Sequence, residues 1–199
     1  MIKAIFFDIG GVLVTEVFRI FGSWAADKKK ISIGMFKELV RPHWLKYRLG
    51  ELDGIDFMQG VIDDLGIEAD PEEILDYTCS MMKTDDAVLS IVKRIKSSGR
   101  YRLGVISKNS FEWSAHGKET LGLGKYFDVW VVSCEVSLAK PEPGIYEYAI
   151  EKLSMKPDDC VFIDDKQVNV DSASKLGMHA LLFTDAKKLE KDLASLGVL

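Results

Sequence analysis

Cysteine is scarce in this chain: Cys79, Cys134 and Cys160 are scattered, odd in number and free of any C-x-x-C pair. That spacing excludes a disulfide framework or a cysteine-built metal cluster, and fits buried apolar side chains in a reducing compartment. Basic runs are nearly missing too. The formal net charge is -5 and Lys28-Lys29-Lys30 stands alone, so it reads as a solvated face and no nucleic-acid partner is expected. Nor is there a long hydrophobic stretch. The longest, Ala4 to Val14, contains Asp8 and two glycines, is too short for a bilayer and carries no small-residue cleavage site. No membrane partner is expected, and the cytoplasm is the expected compartment. Repeats and low-complexity linkers are absent, and His43, His116 and His179 have no spacing that suits a metal site or a catalytic triad.

What is present is a chain of 199 residues, enough for one α/β core and a smaller insert. It opens Ile5-Phe6-Phe7-Asp8-Ile9-Gly10-Gly11, a buried-strand pattern that ends in a carboxylate and a glycine turn. Read alone, Asp8 is as much a capping aspartate as a functional one. Behind it the pattern is helical for a long stretch. Phe57, Val61 and Leu65 share a face and stop at Gly66, and after Asp70-Pro71 come Ile74, Thr78 and Met81. Asp85 or Asp86 then caps a helix through Val88, Ile91, Val92 and Ile95 that closes at Gly99. Strands near 102–107, 128–132, 160–163 and 179–183 alternate with helices near 110–121, 143–154 and 167–176 and a last one after Asp185. Such alternation predicts a doubly wound parallel sheet with residues 1–14 and 85–199 as the α/β core and 15–84 as an inserted helical subdomain.

Three segments give Asp8 its weight. Leu103 to Asn109 is a strand ending in Ser107 and Lys108, Lys140 precedes a proline-started helix, and Cys160 to Asp165 is a strand ending in two carboxylates. Carboxylate, hydroxyl, lysine and acid pair in this order form a phosphate-and-metal site. The segments resemble the four motifs of the haloacid dehalogenase-like superfamily, mostly phosphohydrolases, and the resemblance runs through Asn169 and Gly177-Met178. It implies a central Asp8 strand and a helical cap after the first motif. It implies Asp8 as nucleophile of an aspartyl-phosphate mechanism, and Ser107, Lys108 and Lys140 around a small phosphorylated metabolite. Mg²⁺ is implied as cofactor, held by Asp8, the Gly10 carbonyl, Asp164 and Asp165, with Asn169 orienting the acidic loop. The chemistry agrees: hard oxygen ligands suit Mg²⁺, and a lysine offsets phosphoryl charge.

Two positions depart from the family pattern. Gly10 stands where most phosphatases of the family carry a second aspartate that protonates the leaving group, a contribution of about 10²- to 10⁴-fold. Lys108 stands where asparagine commonly follows the serine. The favoured reading is a phosphatase that is slow or suited to good leaving groups, similar to the glucose-1-phosphate-phosphatase-like members with Asp-x-Gly. A phosphate- and Mg²⁺-binding module without turnover is the alternative, and a dehalogenase is disfavoured by the acid pair. For substrate choice the candidates within the insert are Glu16, His43, Tyr47 and Arg48, with Trp24 and Trp44 as stacking surfaces.

Overall fold

Alternating β1 side chains part to opposite sides, as a pleated strand requires. In the computed structural model, which describes residues 1–199, β1 (Ala4–Phe7) sends Ile5 and Phe7 into one hydrophobic cluster and Ala4 and Phe6 into another. Buried on both faces, it is apolar throughout, as parallel strands between two helical layers are. It lies at the centre of a five-stranded all-parallel sheet with β2 (Arg102–Ser107), β3 (Val129–Val132), β4 (Cys160–Asp164) and β5 (His179–Leu182), in the order β3-β2-β1-β4-β5. The chain winds outward from β1 to β3 and then returns to β1's other side. The crevice of this switch point lies between β1 and β4.

Register completes the placement. Phe7 pairs with Ile163 on one side and Val105 on the other, so the next residues along, Asp8 and Asp164, emerge side by side, with Ser107 across from them. Gly104 makes room for this centre. A Cβ there would come within 2.5 Å of the Phe6 ring.

Four helices separate β1 from α5 (Asp86–Ser98): α1 (Val17–Lys29), α2 (Ile33–Tyr47), α3 (Gly54–Leu65) and α4 (Pro71–Ser80). Their ends follow the local code. Asp53, Asp70 and Asp85 accept backbone N–H groups at the starts of α3, α4 and α5, and Gly66 and Gly99 close α3 and α5 in the left-handed conformation. Beyond β2 come α6 (Phe111–Ala115), α7 (Ser133–Val136), α8 (Pro143–Lys152), α9 (Gln167–Lys175) and α10 (Ala186–Ser195). The single helix expected over 110–121 is in fact α6 followed by a π-helical turn, His116–Thr120. No helix is long and apolar enough to cross a membrane.

α1 to α4 pack on one another around Phe57, which stacks on Tyr47 at 4.2 Å. Trp113 of α6 packs edge-on against both rings, so this aromatic cluster joins the helices to the sheet layer. Glu112 fastens the same seam: its carboxylate accepts the Tyr47 hydroxyl at 2.7 Å and the Gly54 N–H at 2.8 Å. Removing it strands a buried hydroxyl and a helix-start amide. Glu112→Ala is expected to lower unfolding stability by about 2–3 kcal/mol, read from denaturant midpoints, with Glu112→Gln losing less because one acceptor survives.

Candidate active site

Asp8 leaves the end of β1 almost fully buried, its N–H bonded to the Ile163 carbonyl at 2.9 Å. Three donors converge on a single carboxylate oxygen. Oδ1 accepts the Ile9 N–H at 2.7 Å and the Ser107 hydroxyl at 2.8 Å, and Lys140 Nζ lies 2.8 Å away. None of these reaches Oδ2, whose lone pairs stay free. Burial pushes Asp8 up to about 6 against the pull of Lys140, and Asp164 adds to the rise. A cation beside it restores the charged form.

Lys140 arrives from the loop between α7 and α8 and bridges the two strand tips. It sits 2.6 Å from Asp164 Oδ2 as well, and only 1% of its side chain is exposed. Burial works against its charge, yet Asp8 and Asp164 outweigh that cost and raise its pKa. Asp164 is fully enclosed. Its Oδ1 accepts the Lys166 N–H at 2.8 Å, and Asn169 Nδ2 donates to both oxygens at 2.9 and 3.0 Å. Asn169 is the third residue of α9, and this explains its spacing from the acid pair: the first turn of the helix brings its amide back onto the β4 tip.

Asp165 points the other way, toward Gly11. A Cβ on Gly11 would come within 2.8 Å of Asp165 Oδ2, and Gly11 adopts φ 84°, so only glycine admits this approach. Asp165 Oδ2 meets Lys166 Nζ at 2.7 Å, which also lies 3.3 Å from Glu16 Oε1, while Asp165 Oδ1 is buried without a partner. Asp8, Asp164 and Asp165 each bring an oxygen within 4.8 Å of the others. An orphaned carboxylate oxygen in an all-oxygen cluster is what a hard divalent cation requires, so these three residues can hold one.

The tips open into a cavity of about 270 Å³ lined by Asp8, Gly10, Lys108, Lys140, Asp165 and Asn169, among others. Ser107 and Asp164 are buried at its edge, bonded to Asp8 and Lys140. Lys108 is half-buried beside it. Burial, then Arg48 and Lys140, lower its pKa, against the pull of Asp8 and Asp164. Every residue singled out around the motifs therefore lies at one place.

The insert is different. Of the residues expected to face the site, Glu16 and Trp44 line the cavity, and His43, Tyr47, Arg48 and Trp24 do not. His43 is tied to Asp64 at 2.8 Å, and Tyr47 is spent on Glu112 in the aromatic cluster. In their place α2 presents Lys37, Val40 and Arg41, and α1 presents Phe18. The periodicity of α2 shows that Lys37 and Arg41 share a stripe beside Phe36 and Val40, and does not show which way that stripe faces.

The arrangement has counterparts. A family model described as haloacid dehalogenase-like hydrolase matches residues 2–177. The chain is 38% identical over 81 residues to flavin mononucleotide hydrolase 1 of Arabidopsis thaliana, covering 41% of this chain and 33% of that protein. It is 34% identical over 100 residues to a glyceraldehyde 3-phosphate phosphatase of Methanothermobacter thermautotrophicus, covering 49% of this chain and 44% of that one. It spans well under half the length of the curated relatives that lead the comparison. A solved HAD family enzyme of Bacteroides thetaiotaomicron, in complex with magnesium and inorganic phosphate, superposes with a TM-score of 0.70 at 22% identity, over 92% of this chain and 95% of that one. The family model spans most of the chain, and the chain belongs to the haloacid dehalogenase-like hydrolases.

Proposed function

We propose that the chain is a Mg²⁺-dependent phosphatase of small phosphorylated metabolites that works through an aspartyl phosphate on Asp8, without the second aspartate of the first motif. The observation that carries this is the asymmetry of Asp8: Oδ1 is held by three donors and Oδ2 by none. A carboxylate pinned by one oxygen presents the other as an oriented nucleophile.

Each residue then has a task. Asp8 Oδ2 attacks phosphorus in line, the ester oxygen departs with the bonding pair, and water cleaves the acyl phosphate to regenerate the carboxylate. Lys140 and Lys108 meet the charge on the phosphoryl oxygens. Asp164, held from both sides by Lys140 and Asn169, keeps the acidic loop in place, and residues 15–84 close over the site as a cap. Asp8, Asp164, Asp165 and the Gly10 carbonyl would hold Mg²⁺, which would supply neutralisation of the phosphoryl charge there. The magnesium and phosphate in the Bacteroides enzyme and the phosphatase relative support the reading. The orphaned Asp165 oxygen weighs against a metal-free dehalogenase.

Gly10 supplies no proton, so turnover should rise as the leaving-group pKa falls. Its φ is not in the left-handed region, and the nearest atom to an added Cβ is Glu16 Cα at 3.9 Å, so the backbone accepts a side chain there without strain. The test is kcat/KM across aryl, acyl, anomeric and alkyl phosphates, with Mg²⁺ and with excess chelator. Chelator is expected to abolish release. Gly10→Asp is expected to speed alkyl esters most, by about 10²-fold. A flat series would move proton donation to Glu16, which shares the cavity, and no turnover on any ester would make the chain a binding module.

A further inference from the structure

Part of the cavity lining is left unused by the phosphoryl chemistry, and it forms a wall of its own. α2 turns Lys37, Val40, Arg41 and Trp44 onto it, positions three and four apart that share one helix face. Lys140 and Lys166 are each paired with two carboxylates. Lys37 and Arg41 are different. Neither has a carboxylate within ion-pair distance, and neither side chain is tied by a hydrogen bond, although the chain as a whole carries a net charge of -5. Two free cations on one wall of a cleft in an acidic protein focus an attractive potential for an anion there.

The remainder of that wall is aromatic. Phe18 meets Trp44 edge to face at 4.5 Å, and Trp44 lies 6.0 Å from Trp113. Trp113 donates its indole N–H to Thr78 at 2.9 Å, so its ring offers the cavity only apolar surface. Neutral groups able to bind sugar hydroxyls are few. Asn109 and Asn169 line the cavity, but Asn109 Oδ1 already accepts the Ser110 N–H and the Asn169 amide donates to Asp164. A polyhydroxylated leaving group would have to take its hydrogen bonds from charged side chains such as Glu16 and Lys108 and lay the rest of its hydroxyls against Phe18, Trp44 and Trp113, at a desolvation cost.

We infer that the substrate is a phosphate ester whose leaving group is an apolar or aromatic body ending in a second anionic group, carboxylate or phosphoryl, with that group held by Lys37 and Arg41. The inference rests on the phosphatase reading and narrows its substrate class. The body packs on Phe18, Trp44 and Trp113 while the ester phosphate meets Asp8.

Three esters test it: 4-(carboxymethyl)phenyl phosphate, its neutral carboxamide analogue, whose leaving group is electronically matched, and glucose 6-phosphate. The carboxylate ester is expected to exceed the amide by about tenfold in kcat/KM, through KM, as one charge-assisted contact supplies. In Lys37→Gln and Arg41→Gln that ratio should shrink toward unity. Both side chains are exposed, so the variants are expected to fold. Equal rates for acid and amide, a preference for glucose 6-phosphate, or a ratio untouched by both variants would overturn the inference. Failure of the phosphatase reading looks different: no ester is hydrolysed at all. Calorimetric binding to Asp8→Asn then decides the inference by itself. Tighter binding of the carboxylate ester sustains it, and equal binding of acid and amide overturns it.

Discussion

Asp8→Asn is expected to cut phosphate release by about 10⁴-fold or more while leaving the fold intact. The amide keeps the shape of the carboxylate and one oxygen for the Ser107 and Ile9 donors, so its neighbours need not move. What it loses is the anionic oxygen that attacks phosphorus. No carboxylate stands ready to replace it, because Asp164 is fully enclosed and Asp165 is turned toward Gly11 and Lys166. Removing the charge also relieves the crowding of two carboxylates at adjacent strand tips. The variant should therefore unfold at the same or higher denaturant concentration than the parent. Activity within tenfold of the parent, in protein freed of any co-purifying phosphatase, would remove Asp8 from its assigned role.

Lys140 yields the second large effect, on stability and activity together. Its ammonium is the only cation within ion-pair distance of Asp8 and Asp164. Lys140→Met fills similar volume but leaves two buried carboxylates facing each other, a loss of about 3–5 kcal/mol for a broken buried pair. Phosphate release should fall by about 10²-fold or more, since the charge that meets the phosphoryl oxygens is gone. Added Mg²⁺ should restore part of the stability and little of the rate. Lys140→Arg should not rescue either, because a planar fork cannot place one donor between two oxygens at 2.6 and 2.8 Å. An unfolding midpoint equal to the parent's would contradict the account of how the two strand tips are held.

Much of this architecture is written locally. Asp8, Ser107 and Asp164 can be recognised because each ends or directly follows an apolar strand, and parallel strands deliver their carboxyl ends to one edge whatever the loops do. The helix limits at Gly66 and Gly99 are legible for the same reason, since a left-handed cap is a property of a few residues. Lys140 is harder. It belongs to no strand, and only its order in the series marks it.

The substrate wall was not legible. Whether Lys37 or His43 faces Asp8 depends on how α2 rotates about its axis, and that is set by Phe36, Val40 and Tyr47 burying into the aromatic cluster with Phe21, Phe57 and Trp113. The same packing turns His43 outward to Asp64 and consumes Tyr47 on Glu112. A polar residue's spacing says which helix face it shares, and only tertiary contacts say where that face looks. The break between α6 and its π-helical turn is equally non-local, because Trp113 and Ser114 are held by Thr78 and Trp130.

The central claim is a covalent intermediate on Asp8, and it is tested most directly by trapping. The protein is mixed with a reactive aryl phosphate and Mg²⁺, quenched in acid within the first turnover and reduced with borohydride, which converts an acyl phosphate to an alcohol. The residue-8 peptide is then read by mass spectrometry. Homoserine at position 8, absent without substrate and absent in Asp8→Asn, is the expected result. Continued phosphate release with aspartate unmodified at position 8 under every quench time would contradict it.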